Sequence, residues 1–548
     1  MNYENLMEPV EIGNMKLRNR TVMPGMGTNL ASYDGTVSDI IVDYYGRRAN
    51  GGTGLIITEV CAPEAEGRVI PGELEITGLG YLPGLSRLVA AAHSGGSKIA
   101  LQLAHGGCFA SEQVTGVKPK TPSGVGTALL PEDEPREMTK EEIHDLINNY
   151  GKAAKLAKMA GFDFPIISWV PPIYVPRGNL ISYAEKVKQQ VSVPVITAGS
   201  ISPELAEETI KDNKADLACM GRQLIADPDY PNKLREEKPE EIRRCVRCNE
   251  CLGAVLSYRG LDCAVNAEAG KEHETFVKSM PSNNKKKIFI AGGGPAGMEA
   301  AIKASSRGHD VTLYEKEEEL GGMLRYLSIP EFKKDYLDFM NWQISELYRK
   351  EVKVELGTAL TSEIKIIRNE SPDTVIVATG AKTSTPNIEG ITETPIHNPL
   401  EVLDGKIPQG NRVVVCGGGL VGAEVAMHLT MEHDKQVVML EQQSNVVPEL
   451  EIFSQWVVQS QLVELGIEIK VDHCIEKISE QGIMCTNGTE ATEISADDVV
   501  VALGMKPEIT LLNEIEKENI EVISVGDAVE PRKVIHAIHE GYHVGRRV

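Results

Sequence analysis

The segment Gly292-Gly-Gly294-Pro-Ala-Gly297 follows the apolar run Ile288-Phe-Ile-Ala291 and precedes a helical stretch from Met298 to Arg307. Farther along, Gly417, Gly419 and Gly422 repeat the pattern after Val413-Val-Val-Cys416. Strand, glycine turn and helix in this order predict a Rossmann-type βαβ unit. The first glycine allows the tight turn, and the second lets the backbone approach a pyrophosphate. The third lets helix and strand pack closely, with the helix N-terminus facing negative charge. Each unit continues into a second strand that ends on an acid. Val311-Thr-Leu-Tyr314 leads to Glu315, and Val437-Val-Met-Leu440 leads to Glu441. A carboxylate there accepts hydrogen bonds from a ribose. Glu441 is followed by Gln442 and Gln443 rather than arginine, which favours NADH over NADPH. One such glycine motif alone is weak evidence, because glycine turns have many uses. Two, each with its strand, helix and distal acid, predict tandem dinucleotide-binding domains.

Thr374-Val-Ile-Val-Ala-Thr-Gly380 reads as a strand ending in a small-residue turn. Glu521-Val-Ile-Ser-Val-Gly526-Asp527 reads as a strand whose final Asp527 reaches a ribityl chain. Both support FAD at the first motif, and the set resembles the two-dinucleotide-domain flavoproteins of the glutathione-reductase type. The redox-active C-x-x-C of that family is absent, so electrons must leave FAD by another route.

Cysteine usage supplies a route. Four of the ten cysteines form Cys245-Val-Arg-Cys248-Asn-Glu-Cys251, then eleven residues, then Cys263. Clustered cysteines in a large chain read as metal ligands rather than as a disulfide framework. Four thiolates suit structural zinc. Three close cysteines and one distant one also suit a [4Fe–4S] cube, and the neighbouring FAD motif favours the cluster.

A chain of 548 residues is too long for one core. Its formal charge of −23 argues against nucleic acid or an anionic membrane as main partner. No signal peptide or membrane-spanning run is read from the sequence, so the expected location is cytoplasmic. The first 238 residues alternate short apolar runs with helical stretches, among them Gly54–Thr58, Ile99–Leu103 and Val193–Ala198. That pattern predicts a parallel sheet covered on both faces. Glu141 to Ala160 has helical spacing, with Gly161 as its stop.

Asn19–Met26, Gly51–Glu59, Gln102-Leu-Ala-His105-Gly-Gly107 and Met220–Pro228 resemble the Old Yellow Enzyme family. With the cysteines and both glycine motifs, the chain from about Asn5 onward is similar to its NADH:flavin oxidoreductase, enoate reductase and 2,4-dienoyl-CoA reductase branch. The resemblance implies an α/β chain with an N-terminal TIM-type barrel that binds FMN at its C-terminal face, an iron–sulfur segment, and two Rossmann-like domains. The expected boundaries are 1–238 for the barrel, 239–280 for the cluster, 285–390 with 506–548 for FAD, and 391–505 for NADH.

Carried over residue by residue, Pro24, Gly25 and Met26 lie beside the flavin ring, and Gln102 bonds its pyrimidine edge. Gly199, Gly221 and Arg222 hold the phosphate, and His105 lies on the substrate side. Cys108 stands where the family has arginine. After Asp163 the sequence runs straight into Phe164–Gly178, which resembles the family's approach to the seventh strand. At ~30 residues per unit, the barrel is about three units short. The remaining strands close differently, a partner fills the gap, or this is a deletion form. The family's proton donor falls in the shortened part. Tyr174 is the nearby substitute, with a plain surface tyrosine as the alternative.

The expected activity is NADH-dependent reduction of an activated C=C bond in a small molecule, with electrons passing from NADH to FAD, the cluster and FMN. The rivals are an NADH oxidase or diaphorase and an electron-transfer variant. Family members are often oligomeric, which makes a homo-oligomer possible.

Overall fold

The computed structural model describes residues 2–13, 15–124, 135–163, 177–190, 192, 194–275, 284–360, 364–384, 386–391, 396–515 and 520–548. The chain forms two compact units, Met1–Ser279 and Met280–Val548.

The first unit is built on a six-stranded sheet of β1 (Thr21–Met23), β2 (Leu55–Ala62), β3 (Leu74–Glu75), β4 (Lys98–Leu103), β5 (Ile196–Thr197) and β6 (Leu217–Cys219). Every pairing is parallel. β2 joins β1, β3 and β4, while β6 joins β1 and β5. The first strand therefore sits between the second and the last, as it does where a β/α barrel closes on itself. Leu55, Ile57, Val22, Ala100, Leu217 and Cys219 form one buried cluster. Burial on both faces of β2 explains its nearly unbroken apolar run.

Among the described residues no strand of this sheet links β4 to β5. The chain returns to the β4 edge at Asp163, whose N–H donates to the Ile99 carbonyl at 2.8 Å. The Asp163 carboxylate accepts from the Ile99 N–H at 2.9 Å. Tyr174 and the rest of 164–176 lie outside the described residues. Helix α1 (Asp39–Asn50) starts at Ser38, whose Oγ accepts from the Ile41 N–H at 3.2 Å. Helix α2 (Lys140–Ala160) begins with a reciprocal cap between Thr139 and Glu142 and stops at Gly161, φ 101°.

The cysteine segment is tied to the strand β6 region. The Cys245 N–H donates to Gln223 Oε1 at 3.0 Å, and Asn266 Nδ2 donates to the Ile225 carbonyl at 2.8 Å. Farther on, Arg48 of α1 forms a buried ion pair with Glu272.

The second unit carries two five-stranded parallel sheets. One has the order β9 (Lys353–Glu355), β8 (Asp310–Tyr314), β7 (Lys287–Ala291), β10 (Thr374–Val377) and β15 (Glu521–Ser524). The other has β13 (Glu468–Lys470), β12 (Gln436–Leu440), β11 (Arg412–Cys416) and β14 (Asp498–Val501), with Ile396–His397 at its edge. Both follow the doubly wound order in which the first strand is flanked by the second and the fourth. The period of two is explicit in β7. Ile288 and Ile290 enter one core cluster, Phe289 and Ala291 the opposite one. Helices α3 (Pro295–Ser306) and α4 (Leu420–His433) follow the two glycine turns, and α5 (Val534–Arg547) packs on α3. No described helix is long and apolar enough to cross a membrane.

Candidate functional site

The two glycine turns are built alike. Gly292 has φ 111° and Gly417 φ 108°, a region glycine enters without penalty. A Cβ on Gly292 would stand 2.2 Å from the Ala378 carbonyl oxygen, and one on Gly417 2.4 Å from that of Ala502. Gly297 and Gly422 are equally tight, at 2.0 Å from the Gly292 oxygen and 1.9 Å from the Gly417 oxygen. Gly294 and Gly419 are the residues preceding α3 and α4.

The distal acids are locked in the same way. Glu315 Oε2 accepts from the Gly293 N–H at 2.6 Å and Oε1 from the Glu317 N–H at 3.0 Å. Glu441 accepts from the Gly418 and Gln443 N–H groups, both at 2.7 Å. A carboxylate has about four acceptor positions, so each retains capacity for a ribose. Asp527 follows β15 and accepts from the Arg532 N–H at 3.1 Å, and burial raises its pKa. Its neighbour Gly526 abuts Ala296, the second residue of α3. That contact brings Asp527 to the same end of the sheet as the first glycine turn.

In the first unit, Pro24, Met26, Gly199, Gly221 and Arg222 line one pocket together with Cys245. A Cβ on Gly221 would meet Met26 Sδ at 2.6 Å and Pro24 Cγ at 2.8 Å. Gly199 has φ 106°. Arg222 donates to Ser200 Oγ and Asn249 Oδ1. Gln102 is 5% exposed, and its Oε1 has no hydrogen-bond partner among the described residues. Gly25 lies against this amide, since a Cβ there would sit 1.7 Å from the same oxygen. A buried acceptor awaiting a donor fits a ring N–H, and the arginine-bearing pocket fits a phosphate. The residues present therefore suit a flavin mononucleotide.

His105, three residues beyond Gln102, does not line that pocket. Its Nε2 lies 3.1 Å from Glu64 Oε1, and its Nδ1 accepts from the Gly107 N–H at 3.0 Å. Glu64 also pairs with Lys120 at 2.7 Å. Burial lowers the His105 pKa, which leaves a neutral ring with both nitrogens engaged inside the protein.

The four cysteines feel one another. Burial pushes the Cys251 thiol up to about 12, with Arg222 pulling it down and Cys245 raising it further. Cys263 is raised by burial and then by Cys245 and Cys251, and Cys248 by burial and then by Glu250. None is in a disulfide. Among the described residues no three or more His, Cys, Asp or Glu side chains are grouped to hold a single metal ion; the thiolates of a [4Fe–4S] cube each bind a different iron and need no such shared point.

Residues that sequence reading gave no role include Arg177 and Arg247 in the same pocket and Glu59 beneath the loop after β1. Glu59 Oε2 accepts from the Thr28 N–H at 2.7 Å and from its hydroxyl, and Tyr45 Oη accepts from the Glu59 N–H at 2.6 Å. The register of β2 shifts between Ile57 and Val60, a bulge that takes up Glu59. A carboxylate inside an otherwise largely apolar strand was the available signal. Burial pushes Glu59 up to about 8 and Glu73 up to about 7.

The folded protein thus keeps protons that an unfolded chain releases near the ordinary carboxylate value. Stability should fall as pH climbs from about 5 to about 8, at up to about 1.4 kcal/mol per pH unit for Glu59. Urea midpoints followed by circular dichroism across that range should shift less in Glu59→Gln than in the native protein.

A barrel pocket suited to a flavin phosphate, carried in one chain with two dinucleotide folds, defines a flavin- and pyridine-nucleotide-dependent oxidoreductase. Residues 5–170 and 173–241 match the NADH:flavin oxidoreductase / NADH oxidase family, and residues 286–530 match pyridine nucleotide-disulphide oxidoreductases. The chain belongs to the NADH:flavin oxidoreductase / NADH oxidase family and is an NADH:flavin oxidoreductase.

It is 34% identical to the NADH oxidase of Thermoanaerobacter brockii, covering 100% of both chains. It is 28% identical to the cinnamate reductase of Clostridium sporogenes, over 100% of this chain and 99% of that protein. The structure of 2-naphthoyl-CoA reductase in complex with 2-naphthoyl-CoA is similar with a TM-score of 0.94 and 25% identity, over 100% of both chains. The alignment with the NADH oxidase takes 655 positions against the 548 residues here, so that relative carries stretches without a counterpart. The barrel match itself breaks between residues 170 and 173.

Proposed function

We propose that the chain passes electrons from NADH through FAD and a [4Fe–4S] cluster to FMN, which reduces the activated C=C bond of an enoate or 2,4-dienoyl-CoA type substrate. One observation carries this reading. Cys245 lines the same pocket as Pro24, Met26, Gly199, Gly221 and Arg222, so a cluster ligand and the flavin residues share a wall. Gly292, Gly294, Gly297, Glu315 and Asp527 would hold FAD, and Gly417, Gly419, Gly422 and Glu441 would hold NADH. Gln102 would orient the flavin ring through its buried oxygen, and Arg222 would neutralise the phosphate. Cys245, Cys248, Cys251 and Cys263 would hold iron. The cinnamate and naphthoyl-CoA reductases are relatives whose names point to conjugated acyl substrates. Two flavins are needed because nicotinamide gives two electrons together, whereas a cluster carries them singly.

A second reading, NADH oxidase or diaphorase, is favoured by the T. brockii relative. It needs FAD but no closed barrel. Cofactor extraction from an anaerobic preparation separates the two. FMN equimolar with FAD, together with NADH-driven reduction of cinnamate or an enoyl-CoA, is the expected outcome. FAD alone, with electrons reaching only oxygen or dyes, would establish the diaphorase.

A further inference from the structure

The loop between the first two cluster cysteines holds Arg247 in left-handed backbone, φ 55°. A side chain disfavours that region, and residues kept there gather at functional sites. Arg247 is 8% exposed and lines the flavin-phosphate pocket with Arg177 and Arg222. The wall therefore carries three guanidinium groups, and among the described residues no Asp or Glu lines it. Ser200 gathers two of them: its hydroxyl accepts from Arg222, and its carbonyl accepts from Arg177 Nη1 at 3.0 Å. Arg177 also reaches the Cys245 carbonyl at 3.3 Å. Three guanidinium groups along one wall suit a dianion, and planar guanidinium groups match phosphate oxygens in pairs.

We propose that Arg247 is a ligand of the FMN phosphate, so that the cysteine loop forms one side of the flavin site. The proposal rests on the FMN reading above. By linkage, FMN bound against Arg247 stabilises the ordered cysteine loop, and the ordered loop tightens FMN to the same degree.

The test compares FMN with riboflavin, which has the same ring and no phosphate. Holoprotein depleted of FMN but retaining FAD and iron is titrated with each flavin, as the native protein and as Arg247→Gly and Arg247→Gln. Glycine removes the guanidinium while suiting the left-handed backbone, so the loop keeps its shape. The expected result is FMN binding at least tenfold weaker in both variants, riboflavin binding unchanged and iron content unchanged. Unaltered FMN affinity overturns the proposal. So does equal weakening of both flavins, with or without loss of iron, because that marks a purely structural role. A native protein that takes up no FMN overturns the underlying flavin reading instead.

Discussion

The Cys251→Ala protein is expected to bleach its FAD with NADH yet fail to reduce an enoyl substrate. Cys251 lies on the short helix Glu250–Leu256, close enough to Cys245 and Arg222 for each to act on its thiol. On the proposed path its loss takes the cluster from about four iron atoms to near none. Electrons are then left on the second unit's flavin. NADH-driven reduction of a soluble dye should persist at the native rate, since that step needs neither cysteine nor barrel. NADH-dependent enoyl reduction should drop by about a hundredfold or more, a loss in kcat rather than in the KM for NADH. Native rates of enoyl reduction in iron-free protein would remove the cluster from the path.

Lys333→Met should cost the second unit about 3–5 kcal/mol. Lys333 pairs with Glu424 of α4, and the two side chains are 4% and 2% exposed. The contact joins the segment between the first and second glycine turns to the helix that follows the second turn. The nearby Glu331 N–H adds a bond to Glu432 Oε1 at 3.1 Å. Losing the ammonium leaves the Glu424 carboxylate buried without this cation, far worse than never having had the pair. The double variant Lys333→Met/Glu424→Leu should recover most of the loss. Trp342 and Trp456 both lie in this unit, so their fluorescence during guanidinium unfolding follows it. A single variant as stable as the native protein would show that water reaches the pair.

What could be read from the sequence was local. Helix α2 was expected from Glu141 to Ala160 and is found from Lys140 to Ala160, because its cap and its terminating glycine are contiguous with it. The glycine turns and their acids were legible for the same reason: spacing along the chain fixes the chemistry. The run Val193–Ala198 is expected as a full strand; Val193 lies outside the described residues, and of the rest Ile196–Thr197 pair. Among the described residues β5 pairs with β6 alone. The pocket itself is non-local. Pro24, Gly199 and Gly221 come from the ends of three separate strands, and resemblance rather than spacing pointed to them. Glu59 needed Thr28 and Tyr45, and Arg247 needed Ser200 and Arg222 as neighbours, none of which sequence distance reveals. His105 stood in a recognisable motif, but its ring is turned to Glu64 and Gly107.

β15 completes the β7 sheet by pairing with β10, Val522 opposite Val375, although the whole of the second sheet is threaded between them. A ribosome must therefore deliver residue 524 before that layer has its fifth strand, whereas every described strand of the barrel has been made by residue 219. Domains fold as units in the order they emerge. The barrel can thus mature while translation continues, and on the proposed reading a flavin would be acquired on the nascent chain. Loading of the second unit has to wait until translation is almost over.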